Sequence, residues 1–368
     1  MTNKRVLLGM SGGLDSSVAA ALLKRDGYDV IGVTIKTYKY EEVGGAVGNE
    51  TSCCSLDGIN DARRVADALG IPHYVYDFTE PFSREIIDYF VAGYLAGDTP
   101  NPCTMCNRKI KWAEMIRRAD ALGADFIATG HYARIDQDAA TGRHVLRRGH
   151  DDSKDQSYAL WAVSQESLAR TMFPLADLTK EESRAIAREY NLPVAAKKES
   201  YEICFIPDDD YRRFLKENVD GLEEQVRDGD VRYKGETIGK HDGFPFYTVG
   251  QRKGLGLSLG KPVYVIDIDP VANRVEVGDI EELDHRGLVA DNVNMIAYDR
   301  IDEPRRLSVR IRYRDRGAPA VCRTLNDGRL EVTFDQPRRA ITRGQSVVLY
   351  DDDVVVGGGI IQSWFDPA

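Results

Sequence analysis

Two short stretches hold residue types that do chemistry when brought close together. The first is Ser11-Gly12-Gly13-Leu14-Asp15-Ser16-Ser17. Paired glycines allow a tight turn and a close approach of backbone to a ligand. Serine hydroxyls and the unpaired amides of a helix start donate to phosphate, and Asp15 is a candidate Mg²⁺ ligand. The stretch has neither the Gly-Lys-Ser/Thr of a Walker loop nor a Gly-x-Gly-x-x-Gly. A plain Gly-Gly turn with a Ser or Asp helix cap is the alternative reading. The second stretch is Cys103-x-x-Cys106, preceded by Pro100-Asn101-Pro102 and followed by Asn107-Arg108-Lys109. Beside a basic helix that starts at Asn107 or Arg108, the Cys106 thiol is expected to lose its proton more readily and act as a nucleophile or metal ligand. Cys204 is a third thiol, set among apolar residues with Lys197-Lys198 upstream. In an intracellular chain such cysteines are metal-binding, catalytic or buried rather than a disulfide framework. Cys53-Cys54 and Cys322 read as packing residues.

Alternating strands and helices must hold these stretches in place. Short apolar runs at Val6–Met10, Val30–Ile35, His73–Phe78 and Phe126–Thr129 read as strands. Helical spacing predicts helices at Ser16–Lys24, Asp57–Leu69, Phe82–Leu95 and Lys109–Leu122. This β-α-β-α order implies a doubly wound parallel sheet, which binds ligands beyond the carboxyl ends of its strands. Glu41–Thr51, with three glycines and no periodicity, reads as a loop. Leu160–Asn191 reads as helical, with a capping box at Thr179 and Glu182. From about Tyr233 onward, short β-rich runs between turn residues predict an antiparallel barrel or sandwich. The expected division is an α/β domain at 1–165 with 195–210 returning to it, a central region at 166–280 and a β-domain at 281–368.

At 368 residues the chain has room for two or three domains of about 150 residues. With 42 % hydrophobic and 29 % charged residues, wholesale disorder is excluded. No apolar run approaches a membrane span. Val6-Leu7-Leu8 is too short for a signal sequence, so a cytoplasmic location is expected. The net charge of −10 argues at first against a polyanionic partner. Residues 300–345, however, hold twelve arginines against six acidic residues. Alternation of Arg310, Arg312, Arg314 and Arg316 along a β-run would put the row on one face, able to track a phosphate backbone, with Tyr313 facing the core. A solvated strand face is the plainer alternative. Lys154-Asp155-Gln156, taken by itself, reads as a solvated loop, and His131 as a structural histidine.

The Ser11–Ser17 loop resembles the pyrophosphate-binding loop of the PP-loop ATP pyrophosphatases. With TPNPCTMCNRKIK at 99–111, ATGHYAR at 128–134, KDQSYAL at 154–160, KKESYEICFIPD at 197–208 and TVGQRKGLG at 248–256, the chain resembles the tRNA-specific 2-thiouridylases along essentially its whole length. The resemblance implies an ATP- and Mg²⁺-dependent sulfurtransferase that adenylates O2 of the wobble uridine, tRNA position 34, and replaces it with sulfur. Gly9, Met10, the Ser11–Ser17 loop (with Leu14), Ile35 and Gly130 would contact ATP. Asn101, Pro102 and Cys103 would line the pocket for a flipped uridine. His131, Lys154, Asp155, Gln156, Arg312, Tyr313 and Gln345 would touch tRNA, and Asp155 would also help place Mg²⁺. Cys106 would be the nucleophile and Cys204 the persulfide carrier, closing afterwards to a Cys106–Cys204 disulfide that a reductant resets. Many relatives have Asp where this chain has Cys103. The third thiol makes a [4Fe–4S] cluster on Cys103, Cys106 and Cys204 the leading expectation, with persulfide chemistry alone as the alternative and a zinc or structural role behind both. The sulfur would come from a donor such as a cysteine desulfurase or a relay protein.

Overall fold

A computed structural model describes residues 4–37, 56–197 and 203–366. Cys53-Cys54, the 41–51 loop and Lys198 lie outside the described residues. The chain divides into two compact units. The first comprises Met1–Ile86, Cys103–Asp209 and Asp353–Val356, and the second the remaining segments Ile87–Pro102, Asp210–Asp352 and Gly357–Ala368.

The first unit is built on a five-stranded parallel sheet. Its strands are β1 (Arg5–Gly9), β2 (Asp29–Lys36), β3 (His73–Asp77), β4 (Phe126–Ala128) and the two-residue β5 (Thr171–Met172), in the order β3-β2-β1-β4-β5. Val6, Leu7 and Leu8 are fully buried between neighbours on both sides, which is why the run is continuously apolar. Each such aliphatic side chain removed from water stabilises the fold by roughly 1.5–3 kcal/mol. The chain leaves β1 for β2 on one side and β4 on the other, so the sheet changes direction beside Gly9. Helix α1 (Leu14–Arg25) follows at once, with Asp15 in its first turn and Lys24 and Arg25 in its last, both favourable to the helix dipole. Its Val18, Ala19 and Leu22 share a core with Leu175, Ala187, Leu192 and Val194. That packing brings the segment after 166, which the sequence assigns to a central region, into the α/β unit. The expected helix over 160–191 is interrupted there by β5, and the capping box at Thr179 and Glu182 starts α2 (Lys180–Glu189). A hairpin, β6 (Ala133–Gln137) and β7 (His144–Arg148), pairs through Leu146 and Arg147 with Val354 and Val355.

The second unit holds two β-structures. Four strands at Gly229–Tyr233, Glu236–His241, Tyr264–Asp269 and Arg274–Gly278 make one sheet. Six antiparallel strands make the other. They are β8 (Asp284–Met295), β9 (Arg305–Arg310), β10 (Ala318–Thr324), β11 (Leu330–Arg339), β12 (Ser346–Asp351) and β13 (Val354–Phe365). Pairing of β8 with β13 closes them into a barrel. Cys322 lies on β10 and is fully buried in it, as expected for core filling. Among the described residues no helix is long and apolar enough to cross a membrane.

Candidate functional site

The serine-glycine loop sits where the sheet changes direction. The Met10 amide donates to Val33 O at 2.8 Å, and Thr34 Oγ1 donates to Met10 O at 2.7 Å, fixing the exit from β1. Gly12 has φ +69°, and a Cβ there would stand 2.0 Å from Gly58 O. Inside the loop, Ser11 Oγ accepts from the Gly13 amide at 3.3 Å and Ser17 Oγ donates to Gly13 O at 2.8 Å. The loop is thus folded by its own hydroxyls, with the start of α1 behind it. Ile35 pairs with Tyr76, two residues beyond Val33, the partner of Gly9. It therefore flanks the loop at the same sheet edge.

Asp15 is held more firmly than a loop carboxylate needs to be. Lys180 Nζ stands 2.7 and 2.9 Å from its two oxygens, and Tyr132 Oη donates to Oδ1 at 3.0 Å. A cation at Asp15 would share or displace Lys180, so the carboxylate suits Mg²⁺ once Lys180 has moved. A second lysine approaches from the other flank: Lys197 Nζ donates to Gly12 O at 3.1 Å and to Asp61 at 2.7 Å. Neither lysine is signalled by the loop sequence. Thr179-x-x-Glu182 marks where α2 begins but not what Lys180 meets.

Gly130 leaves β4 at the same edge. A Cβ on it would lie 2.6 Å from the Ser16 amide nitrogen and 2.7 Å from the Asp15 carbonyl carbon, so only glycine allows this approach to α1. His131 follows, with Nδ1 at 2.7 Å from Thr129 Oγ1 and its ring beside Trp112 and Phe173. Desolvation there, aided by Lys111, lowers the imidazole pKa to about 3, so the ring is neutral at physiological pH. Lys154-Asp155-Gln156 is not a solvated loop. The Tyr132 amide donates to Gln156 Oε1 and the Gln156 amide to Tyr132 O, each at 3.0 Å. Asp155 is buried and accepts from the Ser157 amide at 3.0 Å. The structure thus joins the triplet to His131 through Tyr132, whose hydroxyl reaches the phosphate loop.

The cysteine helix starts earlier than the sequence suggests. Pro102 takes its first position, where a missing N–H costs nothing, and Pro102–Cys106 forms the first turn. The next six residues, Asn107–Trp112, form a wider π turn before Ala113–Ala121 resumes the α-helix. Such turns recur at functional sites because the extra residue re-aims the side chains before it. Asn107, buried, anchors the turn by donating to Ala159 O at 2.8 Å, and Trp112 Nε1 donates to Thr171 Oγ1 at 2.9 Å. Cys103 is exposed, Cys106 buried and Cys204 half-buried. Among the described residues no group of three or more Cys, His, Asp or Glu is gathered as a metal site.

In the second unit the arginine row is not a strand face. β9 ends at Arg310, and Ile311–Arg316 turns back. Asp315 causes the turn: its carboxylate accepts from the Ile311 and Gly317 amides, each at 3.1 Å, and pairs with Arg338 at 2.6 Å. Burial would raise this carboxyl, but these bonds outweigh it and hold it below its ordinary range. Tyr313, expected in the core, is therefore 49 % exposed. Much of the local positive charge is cancelled by ion pairs, including Arg339 with Asp284 and Arg343 with Asp98. Arg312, Arg314 and Arg316 are exposed and make no ion pair among the described residues. An aromatic ring among three unpaired arginines suits a nucleic-acid strand better than a row of charge alone, since stacking adds about 1–3 kcal/mol per base. Replacing Tyr313 with Ala is expected to weaken tRNA binding about tenfold and to leave thermal stability within error, as filter binding and melting would report. The Gln345 side-chain amide donates to Thr99 O at 2.8 Å, and the Thr99 amide donates to Arg343 O at 2.8 Å. Both clamp the segment that leads to Asn101-Pro102.

Comparison with known proteins places this geometry. A family profile described as tRNA methyl transferase HUP domain matches residues 4–208. A tRNA methyl transferase PRC-barrel domain matches 212–279, and an aminomethyltransferase beta-barrel domain matches 285–361. The chain is 52 % identical over 97 % of its length to the tRNA-specific 2-thiouridylase of Salinibacter ruber, covering 94 % of that protein. It is 52 % identical to the Moorella thermoacetica protein of that name, over 97 % of this chain and 99 % of the relative. The Clostridioides difficile protein is 48 % identical over 98 % of both chains. With about half of its residues identical over nearly the full length of both chains, the chain belongs to the tRNA-specific 2-thiouridylase family.

Proposed function

We propose that the chain is an ATP-dependent tRNA 2-thiouridylase, a sulfurtransferase that converts the wobble uridine of tRNA to 2-thiouridine. The observation that carries the reading is the phosphate loop at the same sheet edge as Gly130 and His131, in a unit that also bears Cys103, Cys106 and Cys204. A uracil C2 carbonyl has no leaving group, and adenylation of O2 supplies one. The loop amides and hydroxyls of Ser11–Ser17, with Gly9, Met10 and Gly130, hold the triphosphate, and Ile35 meets the adenine. Asp15 would hold Mg²⁺, which offsets phosphate charge. Asn101 and Pro102 receive the extruded base. Neutral His131, Lys154 and Gln156 bind tRNA beside the loop, Asp155 braces them from within, and the Arg312–Arg316 turn takes a further stretch of the backbone.

Sulfur transfer then needs two thiols. The terminal sulfur of a Cys204 persulfide adds at C2, and AMP departs with the O2–C2 electron pair. The Cys106 thiolate attacks the Cys204 sulfur, breaking the S–S bond and leaving 2-thiouridine. The resulting Cys106–Cys204 disulfide needs a two-electron thiol reductant. The persulfide is supplied by a cysteine desulfurase or a relay protein of the cytoplasm. A [4Fe–4S] cluster on Cys103, Cys106 and Cys204 is the alternative carrier. Those three thiols would hold it, and no step is routed through it.

The test combines the protein with ATP, unmodified tRNA and a persulfide donor. AMP, pyrophosphate and 2-thiouridine are expected in equal amounts, each dependent on tRNA. Formation of ADP, or nucleotide turnover indifferent to tRNA, overturns the reading. Iron content after anaerobic purification decides between the carriers: iron-free protein that thiolates tRNA eliminates the cluster.

A further inference from the structure

Adenylation puts negative charge on departing pyrophosphate, and the Ser11–Ser17 loop contains no basic residue. A Walker loop carries its own lysine for that purpose. Here two lysines come from distant parts of the chain. Lys180, the first residue of α2, is 10 % exposed at the side chain and bridges both oxygens of Asp15. Lys197 is 18 % exposed and bonds the carbonyl of Gly12 as well as Asp61. A near-buried ammonium group is costly unless a carboxylate accompanies it, and each lysine has one. Asp61 also bonds Arg64 at 3.2 Å, and each ammonium lies against the loop that would cradle the phosphates.

We infer that Lys180 and Lys197 are the leaving-group cations of this site, stored on Asp15 and Asp61 and passed to the β- and γ-phosphates when nucleotide enters. The inference rests on the adenylation reading above. As O2 bonds to the α-phosphorus, the bond from that phosphorus to its bridging oxygen breaks, and the electron pair leaves on pyrophosphate. An ammonium donating to that oxygen stabilises the charge as it develops, without a proton changing hands. Storage on a carboxylate keeps each lysine beside the loop while the site is empty.

The test is a comparison of two ligands on the full-length protein. Inorganic pyrophosphate and AMP each compete against a fluorescent ATP analogue, with wild type, Lys180→Met and Lys197→Met. If the lysines meet the β- and γ-phosphates, pyrophosphate binding falls at least tenfold in each variant and AMP binding stays within twofold. Unchanged pyrophosphate binding overturns the inference. So does an equal loss for both ligands, which would mean that the lysines only brace the loop. Because Lys180→Met leaves Asp15 uncompensated, the pair Lys180→Met with Asp15→Asn is included, with pyrophosphate binding of every protein also read without divalent metal so that loss of an Asp15 metal ligand does not count; melting should recover and pyrophosphate binding should not. Recovery of pyrophosphate binding in that pair also overturns the inference. None of these readouts involves tRNA, so failure of the wild type to thiolate tRNA would sink the function and leave this comparison readable.

Discussion

Replacing Cys106 with alanine is expected to reduce 2-thiouridine formation by at least about 10³-fold, the scale on which loss of a covalent nucleophile acts. Binding of the ATP analogue should be unchanged, because the thiol belongs to the cysteine helix and not to the phosphate loop. The substitution removes one sulfur from a buried site, which costs about 1 kcal/mol of stability, so the protein should still fold. Cys204→Ala is expected to give the same loss, since the proposed exchange needs both thiols. Cys322 provides the control. Burial in the barrel pushes its thiol up to about 12, so it carries almost no thiolate near neutral pH, and Cys322→Ala should thiolate normally. Mass spectrometry of the tRNA nucleosides measures all three. Undiminished thiolation by Cys106→Ala would remove it from the mechanism. Cys103→Ser with full activity would remove the cluster in the same assay.

The second large effect is expected from Gly12→Ala. A methyl group there would stand 2.0 Å from the Gly58 carbonyl oxygen on a helix backbone that cannot swing aside, and the residue would keep a φ of +69°. Overpacking costs about 1–3 kcal/mol, and a non-glycine residue in the left-handed region roughly 1–2 kcal/mol more. Relief requires the loop to move, so binding of the ATP analogue should fall at least tenfold along with the melting temperature. A variant that melts and binds like wild type would show that the loop does not depend on this approach.

The phosphate loop was legible in the sequence because its parts are neighbours in the chain: strand, glycines, hydroxyls and helix start lie within a dozen residues. The barrel was legible from its turns. Lys180 and Lys197 were not, because what matters is where α2 lands on the sheet, and no local pattern encodes that. The arginine row failed for another reason. Alternating arginines fit a strand by period alone, but Asp315, one residue among them, forms a turn with its side chain and outweighs the pattern. Asp155 misled in the same way: an acidic run predicted solvent, while its carboxylate caps a buried amide. The early start of the cysteine helix was available in principle, since proline is at home in a first turn, but a Pro-rich loop was the equally simple reading.

The pairing of β7 with Val354 and Val355 has a consequence for how the protein is made. Arg147 reaches Asp353 across 206 positions of chain, and both belong to the first unit. A ribosome that adds residues from the N-terminus releases the whole parallel sheet long before the strand that completes this hairpin's edge. Until Val354 and Val355 have been made, β7 offers unpaired backbone groups to any other strand in reach. Final assembly of the nucleotide-binding unit thus waits for residues 353–356, and a product lacking them would keep that strand edge open.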